Sequence, residues 1–253
     1  MIDLSVPDIR DAKCILCVQP HPDDTDIALG ASMAMLAAEG VRIIYLSVTD
    51  DAAGLFGSEA ALPYPERVKI RREEQLNAAR MLGIESVREL GFPDAGDWSV
   101  REARKAIVEI IHEVKPDTIL TVDPWMRYEA HQDHVKTGFA ATEAAILYGF
   151  TGAGGGAPDS WKIKAVGLFF TENANTILDV EHWRIKKQEA LACHASQWDA
   201  ESFRDLMAYD SWRGERYGAQ LSCKYAEGLM VVPPDWLHIV PDAISLAKKG
   251  HFA

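Results

Sequence analysis

Two short stretches hold residues whose types and spacing suit a metal ion. Gln19-Pro20-His21-Pro22-Asp23-Asp24 closes an apolar run, and His131-Gln132-Asp133-His134 lies far downstream. Zinc in hydrolytic sites takes three nitrogen or oxygen ligands from the protein and keeps a further position for water, and His21, Asp24 and His134 supply such a set. Asp23 then stands beside the metal as a base. Each stretch has a plainer reading when taken alone. An Asp ahead of a helix caps free backbone N–H groups, and a His-x-x-His is common on solvated helices. The two together, each at the end of a strand, point to a site.

The elements that must position these groups follow from hydrophobic periodicity. Strand-like runs over Lys13–Val18, Val41–Val48, Val87–Gly91 and Thr118–Val122 alternate with helical patterns over Ile27–Glu39, Arg67–Leu82 and Val100–Val114. Gly40, Gly83 and Lys115-Pro116 mark where those helices stop. The alternation is that of parallel βαβ units, so the expected fold is α/β and Rossmann-like, a mostly parallel sheet with helices on both faces. In such sheets ligands bind outside the carboxyl ends of the strands, where strand order reverses. His21 to Asp24, Thr49 to Asp51, Pro93-Asp94 and Asp123 to His134 all fall at such ends. The second half is less regular, with strands expected over Ala165–Phe170 and Thr176–Val180 and helices over His182–Ala195 and Glu201–Arg213. It is expected to finish the sheet and shape the pocket, together with loops at 52–66 and 149–163.

Composition narrows the partners. The chain has 253 residues, 48% of them apolar, and is read as a single domain over 1–253. Lys plus Arg number 26 against 38 Asp plus Glu, a formal charge of −12. This argues against general affinity for nucleic acid or anionic membrane and favours a small substrate. No leader-like apolar core occupies Met1 to Ala12 and no run is long enough to cross a bilayer, so a soluble, cytoplasmic protein is expected. Cys14-x-x-Cys17 has the spacing of a zinc knuckle, but within a strand these positions point to opposite faces. They are read as buried thiols, with Cys193 and Cys223 isolated. Gly152-Ala153-Gly154-Gly155-Gly156 lacks the Lys-Ser/Thr of a phosphate loop and is read as a connection.

Several motifs in register resemble the PIG-L/LmbE-like N-acetylglucosamine deacetylases. They are His21-Pro22-Asp23-Asp24, Arg71-x-x-Glu74 followed by Ala78-Ala79 and Leu82-Gly83, Pro93-Asp94, and His131-x-Asp133-His134. Ala190-Leu191, His194-x-Ser196-Gln197 and Tyr225-Ala226-Glu227 extend the match along nearly the whole chain. Asp123-Pro124-Trp125 with Tyr128-Glu129-Ala130-His131 looks like the diacetylchitobiose deacetylase branch, whose members deacetylate N-acetylglucosamine units and assemble as hexamers. One departure stands out. Many members have Glu after His-Pro-Asp-Asp and Gly-Gly a few residues on, where this chain has Thr25-Asp26 and Gly30-Ala31.

The resemblance implies a Zn2+-dependent hydrolase acting on a small acetylated sugar, N-acetylglucosamine or a short chitin-derived oligosaccharide, in a homo-oligomer. Other N-acyl substrates, inositol- or thiol-linked, and a non-catalytic sugar binder are the alternatives. A two-metal phosphoesterase is disfavoured, since a metal pair wants bridging carboxylates. His21, Asp24 and His134 are the expected ligands and Asp23 the base. His131, taken as one helical turn before His134, is expected to donate to the oxyanion or act as general acid. Asp133 is expected to hold or tune an imidazole. By resemblance Arg71 and Asp94 contact sugar hydroxyls, against a plainer reading of Arg71 as part of a solvated, ion-paired helix face. Trp125 and Tyr128 are placed to stack on a sugar, sit at a subunit interface or pack in the core. His194 and His238 are left without a role.

Overall fold

The computed structural model describes residues 5–150 and 161–248. The glycine run at 152–156 and most of the loop at 149–163 lie outside the described residues. Seven strands form one sheet: β1 (Cys14–Gln19), β2 (Arg42–Thr49), β3 (Ser86–Phe92), β4 (Thr118–Val122), β5 (Ala165–Phe169), β6 (Thr176–Asp179) and β7 (Ala226–Val232). Their order is β3-β2-β1-β4-β5-β7-β6. The pairs β2·β3, β1·β2, β1·β4 and β4·β5 are parallel, and β7 runs antiparallel to β5 and β6. The Rossmann-like α/β expectation therefore holds.

The chain winds outward from β1 through β2 to β3, then returns to place β4 on the other side of β1. Val18 consequently pairs with both Leu46 of β2 and Thr121 of β4. The reversal point lies between the carboxyl ends of β1 and β4, where the crossovers leave a crevice. Buried on both faces, β1 and β4 read as continuous apolar runs rather than as alternating ones. Cys14 reaches toward Val114 and Cys17 toward Met33, on opposite faces, and the cysteines are free.

The helices are α1 (Asp24–Ala38), α2 (Tyr64–Leu82), α3 (Val100–Val114), α4 (Gln132–Leu147), α5 (Arg184–Leu191), α6 (Ala200–Leu221) and the short α7 (Ala243–Ala247). α1, α2 and α5 pack together in one layer, and α3 packs with α4 in another. Boundaries moved where polar residues start a helix. α1 begins at Asp24 rather than Ile27, because its first turn, Asp24-Thr25-Asp26, is polar yet buried and so invisible to apolar spacing. α6 extends to Leu221, well past Arg213, and α5 is shorter than expected. The strand β7 was not foreseen: Glu227 and Gly228 interrupt its apolar pattern, and both are accommodated by partners from other elements.

Two close approaches set the geometry around the crevice. A Cβ on Gly138 of α4 would lie 2.8 Å from the Val122 carbonyl oxygen and from Pro124, so only glycine lets α4 approach the end of β4 this closely. α1 breaks at Leu29 (φ −140°) beside Gly30, where a Cβ would meet Lys187 at 2.9 Å. The amides of Ala31 and Ser32 beyond the break donate to Glu227 of β7 at 3.3 and 2.7 Å. A carboxylate from another element thus takes over hydrogen bonds that the interrupted helix cannot supply.

Candidate metal and active site

The turn after β1 is clamped by its last residue. Gln19 donates to the Pro22 carbonyl and to Ser47 of β2, and accepts from the Thr25 amide at 3.0 Å. Asp24 then accepts from the His21 amide at 2.8 Å, folding the two side chains together. Asp23 occupies the N-cap of α1 but makes no capping hydrogen bond with its side chain, which disposes of the plain capping reading. Its carboxylate instead accepts from Arg71 at 3.1 Å.

His21, Asp24 and His134 converge. Asp24 Oδ2 lies 3.1 Å from His21 Nδ1, and Asp24 Oδ1 lies 3.3 Å from His134 Nε2. The three donors lie within 4.8 Å of one another. Tetrahedral ligands at zinc distances are separated by about 3.3 Å, so the donor set fits such an ion. The opposite nitrogen of each imidazole meets a carboxylate, a pattern that fixes the ring and raises its basicity. His21 Nε2 is 3.3 Å from Asp94 and 3.8 Å from Asp133, and His134 Nδ1 is 3.0 Å from Glu129. The Glu129 contact is close without being an aligned hydrogen bond, since that nitrogen lacks a bond of good geometry. A second group, His21, Asp94, His131 and Asp133, also brings one donor atom each within 4.8 Å.

The charges favour a cation here. Burial opposes protonation of His21, but the carboxylates of Asp133, Asp24 and Asp94 around its ring prevail and lift its pKa well above the ordinary imidazole value. Burial likewise opposes ionisation of Asp24, yet the neighbouring His134 and His21 bring its pKa down to about 2. Asp94 and Asp133 are lowered too: burial resists, and His21 outweighs it.

His131 is not in the helix. It is the N-cap of α4, with extended backbone, so the one-helical-turn argument for its position does not hold. It still reaches the site, because the cap conformation turns its ring toward His21 and His134, with centroids 4.8 and 5.3 Å away. Its Nδ1 accepts from the Asp133 amide at 3.3 Å, which leaves the proton of the neutral ring on Nε2. Asp133 accepts from the Ala95 amide at 2.8 Å and lies 3.8 Å from His21 Nε2, so the imidazole it faces is that of His21.

Arg71 corrects an expectation. The guanidinium is fully enclosed, which overturns the reading of a solvated helix face. Nε donates to Asp51 at 2.6 Å, Nη1 to Glu74 at 2.5 Å and Nη2 to Asp23. Burial disfavours this cation, but Asp51, Asp23 and Glu74 hold its pKa above the usual value. Three carboxylates share one guanidinium, and burial pushes Asp51 up to about 7 against the pull of Arg71. Behind Arg71 lies His194, with Nδ1 3.4 Å from Nη1 and Nε2 3.0 Å from Asp26. Arginine only donates, so His194 accepts at Nδ1 and donates to Asp26, which also accepts from the Tyr45 hydroxyl at 2.9 Å. Asp26, which follows the departure at Thr25, is therefore a buried partner of His194. Glu74 accepts from the Ser196 amide and hydroxyl, both at 2.7 Å, which ties the Arg71-x-x-Glu74 and His194-x-Ser196 motifs together.

Asp94 sits at the rim, bonded to the Ala53 amide at 3.0 Å and facing His21. Trp125 and Tyr128 are 54% and 83% exposed, which removes the core-packing reading for both. His238 is exposed and lies apart, among residues 236–241. The roles of Asp51, Glu129 and Phe170 were not foreseen. Asp51 and Glu129 lie in the polar loops that follow β2 and β4, which was the available signal; their pairing partners come from other elements. Phe170, just after β5, stacks on His134 at 6.0 Å and 7°. Asp51, Ala95 and Phe170 all hold positive φ at strand ends around the site, a conformation non-glycine residues adopt at a cost.

Comparison with known proteins adds a separate line. Residues 16–145 match the family model for PIG-L, the GlcNAc-PI de-N-acetylases. The diacetylchitobiose deacetylase of Thermococcus kodakarensis is 34% identical over 92% of this chain and 88% of its own. A 1D-myo-inositol 2-acetamido-2-deoxy-alpha-D-glucopyranoside deacetylase of Streptomyces griseus is 32% identical over 58% of this chain and 53% of its own. Among solved structures, the N,N'-diacetylchitobiose deacetylase of Pyrococcus horikoshii, complexed with its inhibitor MPG, superposes with a TM-score of 0.85 at 30% identity. That match covers 92% of this chain and 88% of the other.

Proposed function

Because the chain belongs to the PIG-L family of N-deacetylases, we propose that it is a zinc-dependent enzyme that removes the acetyl group from N-acetylglucosamine units of short chitin-derived sugars. The observation that carries this reading is the convergence of His21, Asp24 and His134 beside Asp23 at the sheet's reversal point. His21, Asp24 and His134 would hold the ion in this reading. The second cluster is assigned to orientation, since Asp94 and Asp133 lie against His21 Nε2, the ring nitrogen opposite the one that faces Asp24. A divalent cation so held supplies Lewis acidity, which makes water nucleophilic near neutral pH and polarises the acetyl carbonyl.

The protein groups do the rest. Asp23 takes the proton of the attacking water as its oxygen bonds to the carbonyl carbon, and returns it to the nitrogen as the C–N bond breaks, giving acetate and a free amine. Arg71 holds the Asp23 carboxylate in place and is itself fixed by Asp51, Glu74 and His194, so it acts through the base. His131 Nε2–H donates to the oxyanion of the tetrahedral intermediate, a role that its tautomer supports. Asp94, at the rim, accepts from a sugar hydroxyl, and Trp125 and Tyr128 offer exposed rings to substrate or to a second subunit. Hexameric assembly and a cytoplasmic setting accompany this reading.

The test is amine release from diacetylchitobiose, N-acetylglucosamine and an N-acetylglucosaminyl-inositol, with zinc and with chelator. Chelator-sensitive release is expected, greatest for diacetylchitobiose. Asp23→Asn should lower kcat by roughly 10²- to 10⁴-fold while still binding one zinc. Full turnover by that variant would remove Asp23 as the base, and no release from any of the three sugars would remove the substrate assignment.

A further inference from the structure

A large cleft opens beside His134. Its volume is about 910 Å³, and its walls include His134 and Glu129 at one end and Tyr209, Trp212, Arg213 and Arg216 of α6 at the other. Pockets that enclose small ligands run from about 300 to 1,000 Å³, so the space exceeds what one acetamide needs. Phe170 connects the two ends: one neighbour is the His134 ring and the other is Arg213, whose guanidinium lies 5.9 Å from the Phe170 centroid.

The far wall combines flat apolar surface with directed polar groups. Tyr209 and Trp212, three residues apart on α6, stack at 5.9 Å and 25° and are 53% and 56% exposed. Arg213 also packs over Tyr217 at 5.7 Å, and Arg216 over Trp212 at 5.6 Å. Neither arginine has an ion pair or hydrogen bond to a carboxylate among the described residues, in a chain of formal charge −12. Rings hold both guanidinium planes while their N–H edges remain available to a ligand. Glu129 and Glu172 line the same cleft, so its charge balances and an anionic group gains little there.

We propose that this cleft is a subsite for the sugar ring adjoining the acetylated residue, making the enzyme selective for β-linked oligosaccharides over the monosaccharide. The inference rests on the deacetylase reading above. A pyranose with equatorial substituents presents an apolar C–H face to Trp212 and Tyr209 and a rim of hydroxyls and ring substituents to Arg213, Arg216 and the two glutamates. The acetamide of the neighbouring ring then lies toward His134 and Asp23.

The experiment compares kcat/KM for diacetylchitobiose and for N-acetylglucosamine in the wild type, Trp212→Ala and Trp212→Phe. Loss of the stacking ring should lower the disaccharide-to-monosaccharide ratio by roughly tenfold, mainly through KM, and Trp212→Phe should restore most of it. An unchanged ratio overturns the subsite, as does an altered oligomeric mass of Trp212→Ala by light scattering with the ratio intact, which would make the strip a subunit interface. If the wild type releases amine from neither sugar, the deacetylase reading fails by itself. The subsite then stands or falls on calorimetry with chitobiose and the zinc-loaded protein: binding that Trp212→Ala weakens supports it, and absence of binding overturns it.

Discussion

Replacing Lys187 by Met should cost more stability than any single contact around it suggests. The ammonium is buried, 2.6 Å from Asp210, 2.8 Å from Glu227 and 3.2 Å from the Tyr225 hydroxyl. Burial disfavours its charge, but Glu227, Tyr225 and Asp210 together hold its pKa above the ordinary lysine value. Met keeps the stem that packs on Gly30 and removes only the charge, which leaves two buried carboxylates with no cation between them. Breaking a buried pair from one side costs about 3–5 kcal/mol. In a chain of 253 residues each kcal/mol moves Tm by roughly 2–4 °C, so a fall of roughly 6–20 °C is expected. Glu227 also receives the Ala31 and Ser32 amides at the break in α1, the helix that begins with Asp24. Loosening it should therefore reduce zinc affinity as well. The assay is urea and thermal unfolding of wild type, Lys187→Met, Glu227→Gln and the double variant, with zinc titration of each. Glu227→Gln keeps an acceptor for the Ser32 amide but removes one charge, so the double variant should be at least about 1 kcal/mol more stable than additivity predicts. A Lys187→Met protein within about 1 kcal/mol of wild type, or strictly additive losses, would refute the charge argument.

Two other perturbations test the site from outside its ligands. Glu129→Gln, removing the carboxylate 3.0 Å from His134 Nδ1, should weaken zinc binding roughly 10- to 100-fold in a competitive chelator titration; unchanged affinity would mean that Glu129 does not hold the ring. The pKa of Asp51, raised to about 7, predicts a pH dependence of stability. The folded state binds that proton more tightly than the unfolded state, so the contribution is complete below about pH 4 and is lost as pH rises to about 7, at up to about 1.4 kcal/mol per unit. Urea unfolding of the zinc-free protein between pH 5 and pH 8 should show a steeper decline in the wild type than in Asp51→Asn, the raised pKa of His21 adding a decline above about pH 6.5 that both proteins share. Parallel profiles would show that Asp51 is already ionised in that range.

By itself the sequence determined the winding of the sheet and the place of the chemistry. The apolar runs Cys14–Gln19 and Thr118–Val122 could be read as buried parallel strands because both faces of each are covered, and a parallel sheet presents ligands only at carboxyl ends. That placed His21, Asp23, Asp24, His131 and His134 in one crevice from spacing alone, although His131 reaches it as a helix cap and not as part of the helix. Helix stops at Gly83 and Lys115-Pro116 were equally legible, since glycine takes the left-handed cap without strain and proline cannot continue a helix. Tertiary structure alone decided which charges meet. Arg71 looks like one more cation on a polar helix, yet packing buries it against Asp51, Asp23, Glu74 and His194, which come from four other positions along the chain. β7 was hidden for the same reason, because Glu227 in mid-strand becomes intelligible only once Lys187 and the broken helix α1 lie beside it. Periodicity records which side of an element faces the core. It carries no information about which distant polar group waits there, and burial makes that pairing obligatory, because an unpaired charge in the interior costs more than the fold can spare.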